Sequence, residues 1–447
     1  MPSPSPESST IAKTALLLLP VQIVFRTCEA VLPLLLALWF GRSPETDLYY
    51  LASAFFTMAG AVISAAFQDS ALIPVLTEVM IRDRASLGRV AGSLLSHTLT
   101  YGSLIAIAMG SLAVGGFRLR YGGGLFALAI ELTVPFTFYI VALGVRSFLA
   151  GLCNASRKFA AQPVASGTGI MVAIVVIAFG RHPFGVVVLP IALFFGEIVA
   201  IAILVAIVRA LDIRFEFTLS RPEPVRRFFK LVSNEVSGNV LTRINPVVDQ
   251  LFAGMTIAGG GTLLRYAMDV ASLPTSIAQA TVLPVLLSRM SELATHDRTD
   301  EFSKTVWKAI LYVCALLVAM SLVLGLGRHW ILRAAFLHGE MDAAGVDGMA
   351  AILPYALVGV APFGALLILA RAHVALQNVR IMIPMGILNV SLNAALDLVL
   401  FLAIGLRGVA LSTSLMQLVV AVAFAILLVM RLRVPPRSGP LRGKLAD

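Results

Sequence analysis

Residues 234–250 read NEVSGNVLTRINPVVDQ, a polar stretch in a chain that is otherwise mostly Leu, Val, Ala and Ile. Its charged and amide side chains include Glu235, Asn239, Arg243, Asn245, Asp249 and Gln250. Because a charge at bilayer depth costs roughly 2.5–3.5 kcal/mol on insertion scales, such residues usually face a bundle interior or a wet cavity. We interpret the stretch as part of a membrane helix that lines a site, with hydrogen bonding between helices as the structural alternative.

The composition is that of a polytopic membrane protein. Hydrophobic residues make up 59% of the 447 residues, charged residues 13%, and the mean hydropathy is +0.92, whereas soluble domains carry about 25% charge. The 34 Lys and Arg exceed the 24 Asp and Glu, but they lie in short loops between apolar runs. That placement indicates a cytoplasmic face and argues against nucleic-acid binding.

Apolar runs of about 18 residues or more predict an all-α integral membrane protein with twelve spanning helices. The runs fall near 14–40, 47–79, 90–116, 123–151, 160–180, 184–210, 226–257, 262–290, 302–327, 347–377, 380–404 and 407–433. A basic cytoplasmic linker at 211–230 divides them into two six-helix lobes, 14–210 and 231–433, with tails at 1–13 and 434–447. The loops richest in Lys and Arg alternate with poor ones, so both termini are expected in the cytoplasm.

The two predicted lobes resemble each other. SAAFQDSALIPVLTE (64–78) is echoed by SIAQATVLPVLLSRMSE (276–292), which aligns Gln68 with Gln279. Equal orientation of the six-helix sets predicts parallel repeats about an axis along the membrane normal, a construction that supports alternating access. A duplicated bundle that transports nothing would show the same repeat.

Arg26 and Arg243 occupy equivalent places in the two lobes. Arginine stays charged and grips phosphate through paired hydrogen bonds, so an anionic substrate is the natural partner. The alternative is an internal partner, such as Glu29 for Arg26. The candidate substrate-binding residues are Arg26, Glu29, Gln68, Asp69, Arg243 and Gln279. Arg146 and Arg371 form a second equivalent pair.

Asn393 and Asp397 lie one helical turn apart, so their oxygens face the same way. Asp249 and Thr413 could complete a set of hard oxygen ligands suited to Na⁺ or to a proton. Hydrogen bonding between helices explains these residues equally well. No other cofactor is predicted. The sequence has no Walker A, GxSxG or HExxH motif, and Gly259-Gly260-Gly261 reads as a loop, so an enzyme is not expected.

Several motifs resemble those of the MurJ/MviN family of lipid II flippases, whose superfamily includes MATE drug exporters. They are Arg26 with Gly41 and Asp47, AAFQDSALIPVLTE (65–78), LLRYAMDVASLP (263–274) and ALQNVRIMIP (375–384). The resemblance implies a MATE-like fold and an alternating-access flippase of peptidoglycan synthesis, linked to membrane potential or Na⁺. It also implies a sodium site at Asp249, Asn393, Asp397, the Val409 carbonyl and Thr413. The family motif Tyr-Ala-Asp-Arg reads Tyr266-Ala267-Met268-Asp269 here.

We therefore expect a flippase of the bacterial inner membrane that moves lipid II or a related lipid-linked sugar to the outer leaflet. Its expected partners are that substrate, membrane lipids and proteins of cell-envelope synthesis. Two alternatives stay open: a cation-coupled MATE-type exporter of small amphipathic compounds, and a non-transporting membrane scaffold for envelope synthesis.

Overall fold

The apolar runs of this chain fold as helices. The computed structural model describes residues 31–67, 71–211, 213–295, 298–376 and 378–433, and the regular structure of these residues is helical throughout. This confirms the all-α membrane fold class.

The helices follow one another with short connections. They are α1 (Val31–Phe40), α2 (Pro44–Phe67), α3 (Leu72–Arg82), α4 (Leu87–Arg120), α5 (Gly123–Ala155), α6 (Ala161–Phe184), α7 (Val188–Arg209), α8 (Glu223–Thr242), α9 (Asn245–Ala253), α10 (Gly260–Thr281), α11 (Leu283–Thr295), α12 (Thr299–Leu326), α13 (Arg328–Phe336), α14 (Ala343–Leu357), α15 (Val360–Ala375), α16 (Met382–Ile404) and α17 (Leu406–Arg433).

Within the described ranges, six helical stretches are long and apolar enough to cross a membrane, or seven if the bent pair α14–α15 counts as one span. One of the six, Ala161–Arg209, contains both α6 and α7. The count of twelve stays a prediction. Short α13 was not predicted, because its nine residues include polar Arg and His and fall far below a spanning length.

Several predicted spans are two helices in the structure. The span 226–257 divides into α8 and α9, 262–290 into α10 and α11, and 347–377 into α14 and α15, which meet at 42°. Pro246, the second residue of α9, explains the first break, because proline has no backbone N–H and fits the first turn of a helix.

The described residues form two compact units. The first comprises those within Met1–Tyr266 and His329–Ala350, and the second those within Ala267–Arg328 and Ala351–Asp447. The predicted lobes 14–210 and 231–433 stay a prediction.

Helix pairs in the first unit pack closely where glycines allow it. Gly169 on α6 faces Gly196 on α7, and a Cβ on either would lie about 2.5–2.6 Å from the carbonyl oxygen of the other. In the same unit, the rings of Phe56 on α2 and Phe136 on α5 stack at 5.1 Å and are fully buried. These contacts pair α6 with α7 and α2 with α5 in the first unit.

Within the linker predicted at 211–230, residues 213–222 have no regular structure, and α8 begins at Glu223. The segment 213–222 packs along α4. Glu216 N–H donates to Gly88 O (3.1 Å), and the Ser93 hydroxyl donates to Ser220 O (2.6 Å). Gly92 permits this approach, because a Cβ there would lie 2.2 Å from Glu216 O.

A Gly92→Ala variant should therefore be less stable than wild type. The new methyl group meets backbone atoms that cannot rotate away, and overpacking of this kind costs about 1–3 kcal/mol. Gly102 is the matched control, since it lies in the same helix with open space around its missing Cβ. There alanine should leave stability unchanged or raise it by up to ~1 kcal/mol. Thermal unfolding in detergent measures both, and equal melting temperatures would contradict the packing argument.

Candidate functional site

The structure places some of the predicted substrate-binding residues and not others. Outside the described residues lie Arg26, Glu29, Gln68 and Asp69. Arg243 is exposed in the turn between α8 and α9, and Gln279 is exposed on α10. For these six residues, substrate contact stays a prediction.

The second unit contains a buried cluster of oxygen-bearing groups, which we call the oxygen cluster. It consists of the side chains of Asn393, Asp397, Ser412 and Thr413 and the backbone carbonyl of Val409. Asn393 and Asp397 lie one turn apart on α16 and are fully buried. The Asn393 side-chain amide donates to one Asp397 carboxylate oxygen at 2.9 Å.

Helix α17 supplies the rest of the oxygen cluster. The Ser412 hydroxyl contacts the other carboxylate oxygen of Asp397 and lies 2.7 Å from Val409 O. Thr413 also reaches Val409 O, at 3.3 Å. Ser412 was not predicted, although it lies three residues after Val409 and next to Thr413. Two polar donors on the carboxylate offset the cost of burying it.

The oxygen cluster has the chemistry of a hard-cation site. It presents carboxylate, amide, hydroxyl and carbonyl oxygens within a buried region of the second unit. Asp249, the remaining predicted ligand, lies on α9 in the first unit, where it is 8% exposed. Its part in the site stays a prediction.

A second polar site lies within the first unit and joins its two sequence halves. Asp47, in the first turn of α2, accepts hydrogen bonds from Gly259 N–H (2.7 Å), from Thr262 N–H (2.7 Å) and from the Thr262 hydroxyl (2.8 Å). These donors lie at the amino-terminal end of α10, where free N–H groups and the helix dipole favour an anion.

Gly259, Gly260 and Gly261, which the sequence predicted to form a loop, lie at this contact with Asp47. Gly259 has a φ of +82°, a conformation that favours glycine. A Cβ on Gly261 would lie 2.8 Å from Gln250 Oε1 and 3.2 Å from an Asp47 carboxylate oxygen. In the sequence, the only local sign of this contact is the run of three glycines at the start of α10. Asp47, the residue they contact, lies more than 200 residues away, so the contact could not be predicted.

Two further ties join distant parts of the first unit. Arg42 forms a paired contact with the Asp342 carboxylate (2.9 and 3.0 Å), and these hydrogen bonds hold the pKa of Asp342 below its usual value. Arg120, at the end of α4, donates to Leu251 O at 3.0 Å. We call the contacts of Asp47, Arg42 and Arg120 the Asp47 clasp.

Arg146 has an internal partner. Its guanidinium contacts the carboxylate of Glu197 on α7 and donates to Ser166 on α6 at 3.1 Å. Both charged side chains are 14% exposed. The pair ties α5 to α6 and α7, which favours a structural role for Arg146, while Arg371 is exposed on α15.

Comparison with known proteins agrees with this architecture. A sequence model of the family described as "Lipid II flippase MurJ" matches residues 36–441. A protein of Rickettsia prowazekii (strain Madrid E), named a probable lipid II flippase MurJ, is 19% identical over 422 residues, covering 91% of this chain and 81% of its own length. A protein of the same name from Rhizobium tropici is 22% identical over 395 residues, covering 85% and 73%.

Solved structures share the fold. A lipid II flippase MurJ in an inward closed conformation has a TM-score of 0.76 at 20% identity, covering 93% of this chain and 87% of that one. An inward-facing multidrug resistance MATE family transporter of the MOP superfamily has a TM-score of 0.73 at 16% identity, covering 90% and 98%. The MATE-like fold is therefore confirmed.

An Asp47→Asn variant should weaken the Asp47 clasp. One acceptor oxygen becomes an NH₂ group that faces an N–H donor, and the negative charge at the start of α10 is lost. We expect the free energy of unfolding to fall by about 1–3 kcal/mol. Glu45→Gln is the matched control, because Glu45 lies in the same first turn and is exposed. Denaturant titration compares the variants, and equal stability would show that the Asp47 contacts contribute little.

Proposed function

Because the chain belongs to the lipid II flippase MurJ family, we propose that it moves a polyprenyl-diphosphate-linked sugar between membrane leaflets by alternating access. The family match over 36–441 carries this proposal. The chain is a multi-pass membrane protein of a bacterial flippase family. We place it in the inner membrane with both termini cytoplasmic, on the bias of Lys and Arg between loops.

In this orientation the Asp47 clasp lies at the external ends of its helices. Its contacts join α2 to the start of α10 and the α1–α2 turn to the segment before α14. Such ties favour a state in which these external ends stay together, and an outward-open state requires their release. The Arg42–Asp342 pair is exposed and suits this task, since water can replace its hydrogen bonds. The Asp47 hydrogen bonds are buried, so their release costs more unless water enters.

We assign coupling to the oxygen cluster, with Asp249 as a further ligand and Na⁺ as the ion. The support is the buried set of oxygens around Asp397. A cation that binds one conformation more tightly shifts the population toward it by that difference in affinity. Arg26, Glu29, Gln68, Asp69, Arg243 and Gln279 are the substrate-binding residues of this proposal, and proteins of envelope synthesis are its proposed partners.

Transport can be tested with purified protein in liposomes. Fluorescent lipid II in the inner leaflet should become accessible to an external enzyme or quencher only in vesicles that contain the protein. A cationic amphipathic dye is the parallel substrate. Movement of the dye without lipid II would favour the exporter, and movement of neither would favour the scaffold.

Sodium should raise the melting temperature of the protein, whereas equal K⁺ should not. Ligand at 100 times its Kd adds about 2.7 kcal/mol of stability. Asp397→Ala should abolish this shift and Ser412→Ala should reduce it. Ser414→Ala is the matched control, because Ser414 lies on the same helix and bonds to Tyr355 O (2.7 Å) instead. A sodium shift that survives Asp397→Ala would remove the oxygen cluster as the ion site.

A further inference from the structure

A buried histidine lies where the segment 213–222 docks on α4. His97 is on α4 and is 4% exposed. Its ring stacks on the ring of Tyr101, with the centroids 5.8 Å apart, and meets the ring of Phe229 edge-on at 5.3 Å. Arg221, in the docked segment, contacts the same imidazole. All of these residues belong to the first compact unit, and none of them has a part in the proposed ion or substrate sites.

The partners of the two ring nitrogens fix the protonation state of His97 in the docked arrangement. Nδ1 lies 2.8 Å from the backbone carbonyl oxygen of Ser93, which can only accept a hydrogen bond, so Nδ1 carries a proton. Nε2 lies 3.3 Å from Nε of Arg221, and because a guanidinium group can only donate, Nε2 presents its lone pair. The Ser93 hydroxyl is engaged with Ser220 O at 2.6 Å. Docking therefore requires a neutral imidazole.

The contact with Arg221 is the one that a second proton on His97 would break. The Arg221 guanidinium also contacts the Tyr101 hydroxyl, and it lies over the rings of Tyr101 and Phe229 at 5.9 and 5.3 Å. A proton on Nε2 would set one N–H donor against another. It would also bring two positive groups to within 3.3 Å, which is far inside the range over which salt screens such repulsion.

The other charged groups on the elements packed against α4 are paired or exposed. Among the described residues, the ion pairs of these elements are Arg82–Glu78, Arg227–Glu78, Arg89–Glu216 and Arg146–Glu197. The remaining charges in the first turns of α8, which are exposed, are Glu223, Arg226 and Lys230. Helix α2 carries no charged residue after Asp47. In the part of the chain that the structure describes, a charged His97 would therefore meet Arg221 without a carboxylate of its own.

We propose that His97 is a pH-sensitive latch, which holds the segment 213–222 on α4 while its imidazole is neutral and releases it when the imidazole gains a second proton. Histidine is the side chain that ordinarily changes charge between pH 5 and 8. Because the docked arrangement has no place for the second proton, docking is favoured at high pH and is lost as the pH falls. The segment leads from α7 into α8, so its release frees that connection. The latch is independent of the proposed transport function.

Release of the segment can be followed with a nitroxide spin label at position 219, because the Leu219 side chain is 60% exposed. The label is attached to Leu219→Cys in the purified full chain, with Cys28, Cys153 and Cys314 replaced by Ala. Between pH 8 and pH 5 the ratio of mobile to immobile label should rise on the order of tenfold, the effect of losing one hydrogen bond to a charged group. A label on Lys158→Cys, in the turn between α5 and α6, is the control and should not respond. Identical spectra of the position 219 label at both pH values would overturn the proposal.

Two substitutions identify the group that responds. His97→Gln keeps a neutral acceptor for Arg221 and should leave the label immobile at both pH values. His182→Gln is the matched control, because His182 is exposed at the end of α6, and it should keep the full response. Arg221→Met keeps an unbranched stem between the two rings but donates no hydrogen bond, so the label should already be more mobile at pH 8 and respond little to acid. Melting temperatures at pH 8 check that each variant folds. A full pH response in His97→Gln or in Arg221→Met would contradict the latch.

Discussion

The cost of placing charge at membrane depth organises this protein. Among the described residues, buried or nearly buried charges within helices have compensating neighbours in two well-defined cases. Asp397 receives donors from Asn393 and Ser412, and Arg146 has Glu197. The same physical constraint explains why these two charged side chains are found with polar or oppositely charged partners.

The fold class was predictable because long apolar runs admit few structures other than helices in a membrane. Helix ends were less predictable. The division of 226–257 into α8 and α9 follows from Pro246, whereas the docking of the 213–222 segment on α4 depends on the close approach at Gly92. The sequence does not show which backbone segment will pack against a helical glycine such as Gly92.

The candidate sites were predictable where their residues are close in sequence. Asn393 and Asp397 share a helix face by their spacing alone. Thr413 was proposed as a further oxygen ligand from its residue type, whereas the Val409 carbonyl came from a family resemblance. Ser412 was missed because a serine in an apolar helix is as often hydrogen-bonded within that helix. The partners of Asp47 were missed because a contact across more than 200 residues leaves no local pattern.

Helix α10 begins at the Asp47 clasp, where Asp47 accepts hydrogen bonds from Gly259 N–H and Thr262 N–H. Moving a two-state population from 1:99 to 99:1 requires about 5.5 kcal/mol of differential binding. A single cation at 100 times its Kd supplies about 2.7 kcal/mol. In the proposed transport cycle an ion at that concentration is therefore insufficient for a complete switch, and binding of the substrate has to supply the remaining free energy.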